Sequence, residues 1–379
     1  MRKITAFVFA VMFLFSGCER KYDINERLIV QGVAIDYISE NETEVTVQAL
    51  NTDTYSGIGG AKVPEKLVKN FTLKGKSVAS ALSKLASFSG GEPLYTHTRI
   101  ILIGNEQAKH GIRDVIDFFS RDSSCHASLC VAVCEGNAGE ILKEKNVGES
   151  VPAVETEKAL STSQYGADSV NIHIYELIKM YREKTTSIFL PIVKTVKTGE
   201  DNEVRVSGTA VFGTDRMTYT IDENDTLFLM LFLNRIKLGT YTLESFYGDA
   251  SFDFYKSRCK TDVSVGENGK TVFSVQLKCT VDCIEYSSNN GTELDVKMQK
   301  ELEKKLENEL SRKLKSFLYK MSRNKNDCMR LGRVLLLKMP EKYKEDANNW
   351  QNILPTLSFD VSAEVSLRRI GQESGKSAL

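Results

Sequence analysis

Leu357-Ser358-Phe359-Asp360-Val361-Ser362-Ala363-Glu364-Val365-Ser366-Leu367-Arg368 alternates apolar and polar side chains without a break. Successive side chains of a strand point to opposite faces, so this run reads as a β-strand with one dry face and one wet face. Phe273 to Cys283 repeats the pattern: Phe273, Val275, Leu277, Cys279, Val281 and Cys283 alternate with Ser274, Gln276, Lys278, Thr280 and Asp282. Asn268-Gly269 supplies a left-handed turn back to a preceding strand through Cys259, Val263 and Val265. Between the two alternating runs lies the longest helical pattern of the chain, Thr292 to Met321. Met298, Leu302, Leu306, Leu310, Leu314, Phe317 and Met321 form one stripe, and Glu301 and Glu309 precede Lys305 and Lys313 by four residues. A single stripe implies one packing surface. The expectation is an antiparallel C-terminal sheet whose dry face is crossed by this helix, followed by a shorter helix on Leu331, Val334 and Leu335 that stops at Pro340.

Toward the N-terminus, helices and strands interleave. Leu28 to Ile38 and Thr43 to Ala49 read as a hairpin. Val78, Ala81, Leu82 and Leu85 follow helical spacing behind Ser77 as N-cap, with Gly90-Gly91 as the stop. Arg99 to Ile103 and Ala127 to Cys134 are strands; Ile112, Val115, Ile116 and Phe119 mark one helix, and Ile174, Leu177, Ile178 and Tyr181 another. Val204 to Phe212 is a further strand. Asp222 to Leu233 is a capped helix apolar on every side, which implies burial. The fold class is therefore α+β, with two to three mixed α/β domains: an N-terminal domain over 27–196, a small middle domain over 197–250, and a C-terminal sheet-plus-helix domain over 251–379.

The first residues stand apart from this body. Arg2 and Lys3 precede the apolar run Ile4 to Phe15, too short for the roughly 20 residues that span a bilayer, as in an export signal. Leu14-Phe15-Ser16-Gly17-Cys18 then resembles the lipobox of bacterial lipoproteins, with cleavage between Gly17 and Cys18 and diacylation of Cys18. Phe15 stands where that motif usually carries Leu. The division is a signal peptide over 1–17 and a lipid-anchored linker over 18–26, and two acyl chains suffice for stable anchoring.

Fifty basic and fifty acidic side chains give no net charge, against the cationic surplus of a nucleic-acid binder. Gly57 to Lys62 lacks phosphate-loop spacing and reads as a flexible loop. Cys125, His126, Cys130 and Cys134 are soft ligands within ten residues, but strand alternation through Leu129, Val131 and Val133 would hold Cys130 and Cys134 about 13 Å apart. No metal or cofactor is expected. Cys259 and Cys279 face each other across the hairpin closely enough for a one-residue bulge to permit a bridge; otherwise they are buried thiols. No nucleophile elbow, zinc-protease or calcium-loop motif is present in the sequence, and no catalytic residue is assigned.

The ordered motifs resemble the Ger(x)C family, the lipoprotein C subunits of spore germinant receptors. The resemblance begins at Cys18 and runs through Asn25 to Asp36, similar to that family's first strand with its terminal Asp36. It continues through Thr96-His97-Thr98-Arg99-Ile100-Ile101-Leu102-Ile103-Gly104, the helix of Ala108 to Ile112, Arg121-Asp122, Gly208-Thr209-Ala210-Val211-Phe212, Trp350, and Arg369-Ile370-Gly371. Order and spacing carry it. Two departures are Glu19-Arg20 where the family often has Trp-Asp, and a more aliphatic Asp327 to Lys338. The resemblance implies a non-enzymatic subunit on the outer face of the spore's inner membrane, tethered to the bilayer through acylated Cys18. Its partners would be an A subunit with a large soluble domain and a transporter-like B subunit. His97 would be a strand histidine satisfied by a hydrogen bond, and Gly208 to Phe212 a small-residue strand packed against a helix. The rival classes are an extracytoplasmic solute-binding lipoprotein, which needs a cleft between lobes, and a lipid-anchored hydrolase, which needs a nucleophile beside a base in a pocket.

Overall fold

A computed structural model describes residues 27–51, 67–121, 125–144, 151–199, 201–244, 248–266, 269–288 and 296–370. The expectations for Gly17, Cys18, the loop 57–62, Asp122, Asn268, the first turn of the long helix and Gly371 lie outside the described residues.

Strands β1 (Arg27–Ser39) and β2 (Glu42–Leu50) form the expected antiparallel hairpin, and β3 (Val68–Gly75) pairs outside β2. Two short helices follow, α1 (Val78–Leu82) and α2 (Leu85–Ser89), where one was expected. Ser77 caps the first, accepting from the Ser80 N–H at 3.2 Å, and Gly90 ends the second at φ +72°. Then come β4 (Glu92–Leu94), β5 (Ile100–Ile103), α3 (Asn105–His110), α4 (Arg113–Arg121), β6 (Cys130–Cys134), α5 (Ala138–Lys143), α6 (Pro152–Gly166), α7 (Ile174–Arg182), β7 (Phe189–Thr198), β8 (Asp201–Phe212) and β9 (Met217–Ile221). They build a nine-stranded sheet ordered β3-β2-β1-β5-β6-β7-β8-β9, with β4 beside β1.

The centre, β1-β5-β6-β7, is parallel. Parallel strands need helical crossovers on both faces, so they read as continuous apolar runs. Ile100-Ile101-Leu102-Ile103 and Cys130-Val131-Ala132-Val133-Cys134 are buried throughout. Alternate side chains divide between two layers. Ala34, Ile100, Leu102, Cys130, Ala132 and Cys134 pack under α5 and α6, whereas Ile35, Ile101, Ile103, Val131 and Val133 join the core that holds α1, α4 and α7. The stretch expected as a middle unit supplies β8 and β9 to this same sheet.

Helix α8 (Glu223–Phe232) is capped by Asp222, which accepts from the Asp225 N–H at 2.8 Å. Every residue from Thr226 to Phe232 is buried, because α8 is wedged between β8 and the second sheet. That sheet is β10 (Thr240–Leu243), β11 (Gly248–Val265), β12 (Thr271–Ser288) and β13 (Ser358–Ile370), in chain order. β10, β11 and β12 pair antiparallel, but β12 and β13 run parallel, Phe273 beside Phe359 and Val281 beside Leu367. The reason is the connection: helix α9 (Val296–Arg323) carries the chain back along the sheet before β13 begins, and α10 (Leu331–Lys338) follows it.

Leu302, Leu306, Leu310, Leu314, Phe317 and Met321 of α9 are buried in the same apolar cluster as Phe273, Leu277 and Val281. One edge of α9 also closes the sheet. Tyr319 Oη accepts from the Phe359 N–H at 3.3 Å, Glu307 from the Val365 N–H at 3.2 Å and Glu303 from the Leu367 N–H at 2.7 Å. Sixteen helical residues rise about 24 Å and eight strand residues about 26 Å, so helix and strand edge stay in step. Glu309 pairs with Arg312 at 2.6 Å, three residues on, instead of the expected Lys313, and also accepts from Tyr241 on β10 at 3.5 Å.

Candidate functional site

The family-motif residues fall at three buried junctions. At the first, Asp36, three residues before the end of β1 and 8 % exposed, accepts through its two carboxylate oxygens from the Ala138 and Gly139 N–H groups at 2.7 and 2.8 Å. These are orphan donors of the first turn of α5, and a carboxylate suits the positive end of the helix. Burial nevertheless raises the Asp36 pKa above the ordinary carboxylate value, the two hydrogen bonds opposing. Gly104, at the end of β5, is dictated by the same contact: a Cβ there would stand 2.1 Å from Asp36 Oδ1. Beside it His110 stacks on Tyr37 with ring centroids 3.7 Å apart.

The second junction is Gly208-Thr209-Ala210-Val211-Phe212 in β8. Gly208 has φ +80°, and a Cβ on it would meet the Ile221 carbonyl at 2.7 Å, so two requirements select glycine. Thr209 and Thr226 of α8 share a hydroxyl hydrogen bond of 3.2 Å, and Ala210 and Phe212 are fully buried.

The third junction is built on Trp350, 3 % exposed, whose indole N–H donates to Asp327 at 2.9 Å. Asp327 also accepts from the Leu331 and Gly332 N–H groups of α10 at 2.7 and 2.8 Å, while its own N–H donates to Ser187 Oγ at 2.9 Å. Full burial pushes its pKa up to about 6 against these hydrogen bonds. Ser187 lies two residues before β7, so the node ties the first sheet to the turn between α9 and α10. Trp350 stands out in the sequence as a motif position and Asp327 does not; the available signal is a lone Trp needing a buried acceptor and an Asp four residues ahead of an aliphatic helix.

His97 departs from expectation. It sits in the 3₁₀ turn Tyr95–His97 ahead of β5, exposed, with no hydrogen bond to its ring among the described residues. The Thr98-Arg99 step turns the chain into the sheet after it, so the histidine precedes the strand. Arg121 closes α4 in an exposed pair with Asp117 at 2.9 Å.

Cys259 lies opposite Leu277, and Cys279 opposite Ser257. The bulge that would realign them falls between Phe254 and Lys256, beyond Cys259 from the turn, and both remain free thiols pushed up to about 12 by burial. Cys130 and Cys134 stand in β6, and among the described residues no three potential ligands gather for a metal.

One nucleophile does come near a base. Cys130 bridges His173, whose pKa rises to about 9 through hydrogen bonds to Cys130 and Glu176. Burial pushes Glu176 up, but His173 and Arg235 outweigh it and hold it at about 2. Cys130 is 2 % exposed and its Sγ donates to Asn171 Oδ1 at 3.6 Å, so the thiol is enclosed where the segment leading into α7 meets β6. A cleft of about 660 Å³ opens at the strand ends, lined by Asn105, Glu135, Lys194, Tyr219 and Lys320 among others. No helix among the described residues is long and apolar enough to cross a membrane.

Comparison with known proteins places these junctions in context. Residues 20–195 match the family described as spore germination protein N-terminal domain, and residues 207–371 match spore germination B3/GerAC like, C-terminal. Spore germination protein KC of Bacillus subtilis (strain 168) is 22% identical over 96% of this chain and 95% of its own length. Spore germination protein B3 of the same organism is 23% identical over 95% and 97%. The crystal structure of the GerBC protein superposes with a TM-score of 0.57 at 20% identity, covering 88% of this chain and 96% of that one, and shares the two-sheet α+β fold. With both halves matched in order and the relatives covered almost end to end, the chain belongs to the GerAC-like family of spore germination proteins.

Proposed function

We propose that this chain is a non-enzymatic, lipid-anchored C subunit of a nutrient germinant receptor, held on the outer face of the spore's inner membrane and assembled there with A and B subunits. The observation that carries the reading is the extent of the family match, from residue 20 to 371, which begins two residues after the lipobox cysteine Cys18. A diacylated Cys18 would confine the soluble body beside its membrane partners. For a short flexible tether the effective concentration is on the order of mM, gained without any new contact. The buried junctions at Asp36, Gly208 and Asp327 serve rigidity, as a scaffold requires.

The test is Cys18→Ala in spores, compared with wild type and with spores lacking the protein, scored for release of small solutes after nutrient exposure. The body should stay folded, since the core formed by the described residues is complete from Leu28 onward, while release falls toward the level of the deletion. A processed, soluble variant with wild-type release would sink the tethering mechanism.

A second reading, a solute-binding lipoprotein, is favoured by the 660 Å³ cleft at the ends of β5 and β6, where open parallel sheets often bind ligands. A thermal shift on adding candidate nutrients separates the two, because a binder is stabilised by mass action and a scaffold is not.

A further inference from the structure

The solvent side of the C-terminal sheet carries a charge pattern that the fold does not use. On β11, Lys256, Arg258 and Lys260 occupy three successive outward positions, all exposed, about 6.6 Å apart and spanning about 13 Å. None of the three has a hydrogen-bond or ion-pair partner among the described residues. Arg258 lies directly opposite Lys278 of β12, a like-charge cross-strand pair of the kind that destabilises a sheet. Glu364 already pairs with Lys278, so Arg258 is the member left without a counter-charge; Asp282 is engaged with Arg368, Asp262 with Lys338 and Asp253 with Thr240, and Asp360 stands two strands away on β13. The flanking positions Gln276, Thr280, Ser362 and Ser366 are uncharged. At one end Arg368 stacks over Tyr255, itself 58% exposed, with its guanidinium carbon 3.4 Å from the ring centroid. Since the whole chain carries no net charge, this concentration is local.

We infer that this face is the docking surface for a partner protein presenting a carboxylate-rich patch. Arg and Tyr are enriched where proteins meet, and complementary charge fixes partner and register. Three uncompensated cations in a row would set that register along β11, and the acidic side chains of the partner would give Arg258 the counter-charge that Lys278 already has in Glu364. The inference rests on the reading of the chain as an assembled subunit, and names the surface through which it assembles.

The experiment uses the full, lipid-anchored chain with an affinity tag, isolated from detergent-solubilised spore membranes, with co-isolated proteins quantified. Wild type is compared with Lys256→Glu/Arg258→Glu/Lys260→Glu and with a control reversing three exposed lysines elsewhere, Lys158, Lys197 and Lys297. The stripe variant should lose membrane subunits at least about tenfold relative to wild type and control, and high salt should reproduce the loss with the wild-type chain. Replacement by Gln at the same positions should weaken binding in the same direction, which covers a Glu variant that fails to fold. Equal recovery by the stripe variant and wild type overturns the surface while leaving the assembled-subunit reading intact. A wild-type chain that brings down no membrane subunit overturns both. Loss of binding to phosphatidylglycerol vesicles with partner recovery unchanged, or isolates holding second copies of this chain alone, would assign the face to another occupant and overturn the inference.

Discussion

Asp36 and Asp327 play the same part at two separate junctions, each buried and accepting two N–H groups from the start of a helix. They differ in what else reaches them, and the third donor, Trp350, makes Asp327 the more consequential. Its folded-state pKa of about 6 lies above the ordinary 3.8, so the folded chain holds the proton more tightly than the unfolded chain. Stability therefore falls as pH rises from about 4 to 6, by up to about 3 kcal/mol from this group. Asp327→Asn should abolish that slope in wild-type-minus-variant unfolding free energies measured across the window. It should also cost about 1–3 kcal/mol, because an amide cannot accept from all three donors as a carboxylate does. Asp36, Gly104 and Trp350 were legible as motif positions. Asp327 was not, because its partners Ser187 and Trp350 are distant in sequence and only the fold brings them together. His97 was misplaced for a local reason: the apolar run of β5 starts at Ile100, and nothing in Thr96-His97-Thr98 distinguishes a strand from the turn before it.

At the level of elements, the alternating strands and the striped helix were readable because each buries one face only, and period 2 or 3.6 then appears directly in the sequence. Helix α6 was invisible for the converse reason: its buried side chains are Pro152, Ala153, Thr156 and Leu160, too small or too polar to mark a stripe. The parallel sense of β12 and β13 was equally hidden, since alternation specifies faces and says nothing of direction. What α9 contributes can be tested at its centre. Leu306 is 1 % exposed, and Leu306→Asp places an unpaired charge between helix and sheet, at a cost of about 4 kcal/mol or more. The purified variant should melt roughly 5 °C or more below wild type, or fail to fold. An unchanged melting temperature would mean that the helix does not pack as described.

For the whole molecule, the surprise lies in where strands of clear local character went. Val204 to Phe212 announced itself as a strand, but it folds back on β7 directly before it, Thr198 beside Asp201, so the boundary expected between 196 and 197 falls inside a hairpin of the first sheet. With α8 buried between the sheets and one apolar cluster running through both, unfolding should be a single cooperative event. Calorimetry of the soluble chain without its lipid should give one heat-absorption peak whose van't Hoff and calorimetric enthalpies agree; two resolved peaks would show that the halves unfold separately. The parallel closure of β13 on β12 also bears on how the protein is made. About 70 residues separate the end of β12 from the start of β13. At roughly 5–20 residues per second the ribosome needs several seconds to deliver them, during which the outer edge of β12 has no strand beside it. An open edge of that length is a template for pairing with a neighbouring nascent chain. The newborn polypeptide thus has an interval of vulnerability set by its topology, and a holding chaperone acting between the emergence of Ser288 and that of Ser358 would protect the yield of folded protein.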